Sequence, residues 1–488
     1  METTAQAPRR VVPRVLFAVV APLQAFFRTQ AASGVVLLLA TATALVWANS
    51  SGSHVYHELL EMPVEVRIAQ WGLAWPLHHW INDALMAVFF LVAGMEIKHA
   101  TTVGELRSLR QATLPLLAAV GGMVVPALLF LVWNRQGEGR QGWGIPMATD
   151  IAFAVGCLSL IRSRIPSGLF IFLTALAIFD DLGAIIVIAV FYGGTIHLPA
   201  LGLAGALTLA LVLLSRLRVQ RLAPYLLLGV ALWGATLASG IHATLAGVVL
   251  GLTLPARSAR EPDHVLEALD RAIDSLRRAC TNPSLEHASL LAMEKHLEAM
   301  QSPLSRLLHV IEKPVAFGIV PLFAVANAGV TLGRNSLSLL LSPVSLGVLV
   351  GLFVGKTVGV FGATFVAVSL RFADRPARAR WVDVLGVSMM AGVGFTMSLF
   401  ITMLAFDGAP LLVAEAKVGI LAGSFLAASA GLLLLRSSGK VIPAQEAGSP
   451  CSWTCPASRR GTRSGRGLPG ASSWGKPWRR PTCGGGIR

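Results

Sequence analysis

Charge is scarce in this chain: only 13% of its 488 residues are Asp, Glu, Lys or Arg. A water-soluble surface needs about a quarter, so a set of globular domains in water is excluded. Cysteine is scarce as well, with five residues at positions 157, 280, 451, 455 and 483. Their spacing forms no disulfide framework. Cys451 and Cys455 lack the His or second Cys pair that zinc requires, so metal and redox chemistry receive no support and no cofactor is expected. Acidic residues number 25 against 40 basic ones, a net charge of +15 that taken alone suggests a nucleic-acid partner. What the chain has in abundance is apolar surface, since Ala, Val, Ile, Leu, Met, Phe, Trp, Tyr and Cys make up 54% of it. Its expected solvent is a lipid bilayer.

A bilayer core about 30 Å thick takes about 20 apolar residues per helix. On that criterion about twelve spans are expected, at residues 33–49, 81–97, 113–133, 145–161, 167–192, 200–215, 224–239, 241–254, 314–332, 344–370, 382–406 and 414–435. Lys and Arg fall unevenly between the two sides of these spans, 34 on one, 5 on the other and one, Lys356, inside a span. Cytoplasmic loops hold the excess, so both termini are expected in the cytoplasm. The expected fold class is an all-α polytopic membrane protein.

Four segments stand apart from the spans. Residues 1–32 are expected to be a cytoplasmic lead-in, because the apolar run at 15–23 has no cleavage site after it. Val64, Val66 and Ile68 alternate with Glu65 and Arg67, which suggests a short external β-hairpin whose edge can pair with a second copy. Residues 257–313 are charged with a helical period, read as a cytoplasmic helical insertion rather than a regulatory module. Residues 437–488 change composition abruptly, with ten Gly, six Pro, nine basic residues and one Glu. That segment reads as a disordered or frame-altered tail. It carries +8 of the net charge, and most of the rest is topology signal, so the nucleic-acid suggestion falls away.

Function is sought where charge is hardest to keep. Asp150, Asp180, Asp181 and Lys356 fall within spans. Each costs about 2.5–3.5 kcal/mol at a helix centre, together roughly 10–14 kcal/mol, as much as the whole stability of a typical domain. They are therefore expected to meet in one polar cavity. Neighbours on a helix point about 100° apart, so Asp180 and Asp181 cannot share one proton. One can pair with Lys356 while the other faces water and takes a proton or a hard cation, which then compete. Thr149 and Asp150 disfavour helix interior and suit an unwound stretch that offers carbonyls to a cation. Gly392, Gly394 and Thr396 interrupt a later span in the same way, and paired interruptions point to an inverted-repeat transporter with a midplane site.

Six stretches carry a resemblance: residues 81–90 (INDALMAVFF), 148–154 (ATDIAFA), 175–184 (ALAIFDDLGA), 240–247 (GIHATLAG), 321–329 (PLFAVANAG) and 394–398 (GFTMS). In this order they resemble the NhaA sodium/proton antiporter family, from about residue 22 to residue 436. The resemblance implies twelve helices in residues 33–436, with two broken, crossed helices at spans four and eleven. It implies exchange of Na⁺ or Li⁺ for protons, more protons than sodium ions per cycle, and a homodimer in the bacterial inner membrane joined partly by the hairpin. Asp181 and Asp180 match the family's ion-binding pair, Lys356 its lysine partner, and Asp150 and Thr149 its unwound-helix residues. Glu96 and His242 match positions linked to pH response. Two departures bear on that response. His99 and Ala100 stand where the family usually has Arg-Glu, and Leu308 stands where an acidic residue is usual, with Glu312 one turn further on. An intramembrane aspartyl protease would need a Gly-x-Gly-Asp motif, which is missing, so no enzyme is expected. A passive channel would need no lysine-paired titrating group.

Overall fold

The computed structural model describes residues 32–68, 71–102, 104, 109–256, 302–331, 336–377 and 379–438. The expected lead-in up to residue 31, the insertion from 257 to 301 and the tail from 439 onward lie outside the described residues. Helix dominates what is described. In chain order the helices are α1 (Ala32–Ala48), α2 (Ser53–Glu61), α3 (Leu77–Thr102), α4 (Leu109–Trp133), α5 (Ile151–Ser159), α6 (Ser167–Phe191), α7 (Leu198–Arg216), α8 (Leu222–Ala238), α9 (Leu245–Thr253), α10 (Pro303–Asn327), α11 (Ser336–Leu340), α12 (Pro343–Ser369), α13 (Trp381–Met390), α14 (Phe395–Ala405) and α15 (Pro410–Ser438).

Seven of these, α3, α4, α6, α7, α10, α12 and α15, are long and apolar enough to cross a membrane. The number rises to nine when the bent pairs α1 with α2 and α13 with α14 are each taken as one span, so the chain is a multi-pass membrane protein. The remaining expected spans are short or interrupted. Residues 145–161 form a 3₁₀ segment, Glu138–Met147, followed by α5, while α9 has only nine residues. Large apolar side chains stand outside the bundle, among them Val46 at 70% exposure, Leu227 at 73% and Phe425 at 71%. Such a surface suits a lipid solvent.

The alternation seen at residues 64–68 does form a hairpin. Strands β1 (Pro63–Ile68) and β2 (Trp71–Pro76) are antiparallel, with Val64 opposite Trp75 and Arg67 opposite Gly72. The insertion boundary differs from expectation. Helix α10 begins at Pro303, so residues 303–313 belong to the same helix as the following span. Pro314 offers no N–H to the preceding turn, and the chain widens there into a π-turn, Val315–Ile319, instead of breaking. Ser302 starts the helix by accepting the Ser305 N–H at 3.1 Å. Comparable π-turns lie in α3 at Trp80–Leu85 and in α12 at Gly351–Gly355.

Candidate functional site

Two interrupted elements touch where their helices break, and the place of contact is a crossing of unwound backbone. The first stops being helical after Met147 and resumes at Ile151, and the second stops after Met390 and resumes at Phe395. Each leaves backbone groups that its own helix cannot satisfy, and the crossing supplies partners. The Asp150 N–H donates to the Val393 carbonyl at 2.7 Å, and the Ser398 hydroxyl donates to the Ile145 carbonyl at 2.8 Å. Glycine permits this approach: a Cβ on Gly394 would sit 2.9 Å from the Ala148 carbonyl oxygen of the first element, and one on Gly392 would sit 2.3 Å from the Leu352 carbonyl oxygen of α12, which packs against the second.

Asp150 caps α5 by accepting the Phe153 N–H at 3.0 Å. Its other oxygen accepts the Thr396 N–H at 3.1 Å and the Thr396 hydroxyl at 2.6 Å. One buried carboxylate therefore faces the positive ends of two helices, α5 and α14, which offset its desolvation. Thr149 Oγ1 lies 2.6 Å from Asp180 Oδ2 and 2.8 Å from the Ala391 carbonyl, and its single proton serves either acceptor.

Helix α6 carries Asp180 and Asp181 on different faces, as the 100° step between neighbours requires. Asp180 is fully buried and forms an ion pair with Lys356, which is also fully buried. The Lys356 ammonium donates as well to the Met147 carbonyl at 2.5 Å, an acceptor freed where the first element unwinds. Lys356 follows the π-turn of α12 directly. Asp181 has a different setting. It is only 5% exposed, forms no ion pair among the described residues, and lines a cavity of about 80 Å³, while its Oδ1, like that of Asp180, has no hydrogen-bond partner. At about 10–15 Å³ per water, that space holds a handful of waters or one hydrated cation.

The structure thus brings together most of the residues singled out from sequence. Asp181, Asp150, Thr149, Glu96 from α3 and Glu312 from α10 all line the cavity, with Thr396 beside them. Of the four mid-span charges expected in one cavity, Asp150 and Asp181 line it, while Asp180 and Lys356 neutralise one another outside its lining. His242 is not part of the lining. It sits between α8 and α9 and bonds to the Tyr192 carbonyl, while the Tyr192 hydroxyl donates to the Gln141 carbonyl at 2.8 Å. Leu308 packs against the main apolar core. His99 and Ala100 lie in the last turns of α3.

Two partners escaped sequence reasoning. The Thr396 hydroxyl was legible as a helix interruption but not as the holder of Asp150, and the Met147 carbonyl has no side-chain signal at all. Asn82 and Asn327 form a third such feature, a buried amide pair in which Asn327 donates to Asn82 at 2.8 Å. Both are polar residues inside quoted motifs, which was the available clue.

Residues 24–435 match the family described as Na⁺/H⁺ antiporter 1. A Na(+)/H(+) antiporter NhaA 1 from Myxococcus xanthus (strain DK1622) is 46% identical over 445 residues, covering 91% of this chain and 99% of that protein. A Na(+)/H(+) antiporter NhaA from Anaeromyxobacter sp. (strain Fw109-5) is 47% identical over 442 residues, covering 90% and 97%. Another from Acidithiobacillus ferrooxidans is 46% identical over 422 residues, covering 85% and 97%.

Proposed function

Since the chain belongs to the Na⁺/H⁺ antiporter 1 family, it exchanges Na⁺ for H⁺ across a membrane, and we propose that Asp181 is the carboxylate on which the two compete. The observation that supports this reading most is the unlike setting of two adjacent aspartates. Asp180 is neutralised by Lys356 outside the cavity, whereas Asp181 has no cation paired with it among the described residues and lines the cavity with further carboxylates and hydroxyls. A carboxylate so placed takes either a proton or a hard cation, never both fully. Na⁺ or Li⁺ enters as substrate, and the free Asp180 oxygen, the Thr149 hydroxyl and Asp150 are further oxygen ligands available to it.

The cycle follows from these contacts. A cation on Asp181 draws Asp180 toward it, weakens the pair with Lys356 and leaves the lysine to release its proton. With the Asp181 proton, more than one proton then moves per sodium ion, which makes exchange electrogenic. Opening the site alternately to either side is assigned to the crossing of the two interrupted elements. Glu96 and Glu312 in the cavity, and His242 beyond it, are the groups through which pH regulates exchange.

In the full reading the short pieces also count as passes, which gives twelve spans, inverted-topology repeats and broken, crossed spans four and eleven. The excess of Lys and Arg places both termini in the cytoplasm of a bacterium, with the protein in its inner membrane. The hairpin β1–β2 is assigned to the outer side, where its edge joins two copies. No nucleic acid takes part.

Proteoliposomes acidified inside test the exchange. Adding Na⁺ outside should collapse the pH gradient for the wild type and leave it intact for Asp181→Asn. Valinomycin with K⁺ should change the rate. A gradient that Na⁺ does not dissipate, or an Asp181→Asn variant as fast as the wild type, would overturn the role of Asp181. Rates indifferent to valinomycin would replace electrogenic with electroneutral exchange.

A further inference from the structure

The two interrupted elements are held twice, and the second hold lies away from the ion site. Helix α5 leaves the crossing at Asp150 and ends at Ser159, followed by the turn Arg162–Arg164. Helix α13 begins after Arg380 and ends at the crossing. The turn that follows α5 and the start of α13 both meet the last turn of α15, whose final carbonyls have no partner within their own helix. The Arg164 guanidinium donates to the Arg436 carbonyl at 3.1 Å. The Arg380 guanidinium donates to the Ser438 carbonyl and, at 2.9 Å, to the Ser438 hydroxyl.

Arg380 is itself fixed by a fork on Asp383, with Nε to Oδ2 and Nη2 to Oδ1 both at 3.1 Å. Asp383 is 5% exposed, so it needs that cation, and it also accepts the Ser438 hydroxyl at 3.1 Å. Between the polar contacts, buried Leu435 fills the space beside Gly386, where a Cβ would lie 2.6 Å from the leucine Cγ. Two cations at the negative end of α15 are also favoured by the helix dipole.

We propose that Arg164 and Arg380 are positioning residues that bind the outer ends of α5 and α13 to the C-terminus of α15, so that both interrupted elements move as one body during exchange. This rests on the reading that the crossing carries the ions. Joined at the crossing by the Asp150–Val393 bond and at the far end through α15, the two helices form a closed frame that fixes the approach of Thr149 to the Ala391 carbonyl and of Asp150 to α14. Loosening the frame slows the change of access without altering the ligands that a cation meets.

The test compares the full-length chain with Arg164→Ala and Arg380→Ala in proteoliposomes, reading maximal rate and Na⁺ KM separately. Each alanine variant should lower the maximal rate about tenfold, the scale of one hydrogen bond to a charged group, and leave KM unchanged. Arg164→Lys should restore the rate because one donor suffices there. Arg380→Lys should not, because an ammonium cannot fork onto Asp383. If Arg380→Ala does not assemble in the membrane, Arg380→Gln keeps the stem without the fork and gives the same readout. Wild-type rates in both alanine variants, a KM that moves with the rate, or full rescue by Arg380→Lys would overturn the proposal. Asp181→Asn run alongside separates the two ideas: if it exchanges normally the ion-site reading fails, whereas a dead Asp181→Asn with normal arginine variants removes only the frame.

Discussion

Lys356 and Asp180 neutralise each other where neither has access to water. Removing one partner of a buried pair leaves an uncompensated charge, which costs about 3–5 kcal/mol. Lys356→Met should therefore lower the unfolding temperature in detergent sharply, and adding Asp180→Asn should recover most of the loss. A double variant as unstable as the single one would mean that the lysine acts through packing and not through its charge. The sequence alone made these charges visible, because ionisable residues in apolar spans have no cheap alternative. Their division of labour was only partly visible. The helical step separates Asp180 from Asp181, but which of them meets Lys356 depends on a contact across 176 positions. The hold of Thr396 on Asp150 spans 246 positions and was equally hidden.

Among the elements, those whose signal is local were legible. Alternating Val and Ile marked β1, and paired Gly and Thr marked the interruption between α13 and α14. Features set by packing were not. The π-turns in α3, α10 and α12 leave no periodic trace, and the charged residues Arg306, Glu312 and Lys313 disguised the first three turns of α10 as part of an insertion. The crossing itself depends on the absence of side chains. Gly392→Ala would press a methyl group against the Leu352 carbonyl and should destabilise the protein by about 1–3 kcal/mol, with slower exchange, measured by thermal unfolding and transport together. An alanine there with wild-type stability and rate would show that α12 stands further from the interruption than that contact requires.

For the whole molecule, the scarcity of charge has a functional counterpart. A bundle that gathers carboxylates from α3, α5, α6 and α10 around one small cavity makes every cation that enters compete with protons for the same oxygens. Family membership establishes that the chain exchanges Na⁺ for H⁺, and the cavity supplies the reason that one molecule handles both. The most direct test is proton release from the purified protein, in weakly buffered detergent solution with a pH indicator, as Na⁺ is added. Wild type should release protons, with an apparent Na⁺ affinity that weakens about tenfold for each unit of falling pH where Asp181 alone gives up a proton, and up to about a hundredfold where Lys356 gives up its proton as well, as linkage of one or two protons to one site demands. Asp181→Asn should release none. Proton release that persists in Asp181→Asn, or a Na⁺ affinity independent of pH in the wild type, would contradict competition at this carboxylate.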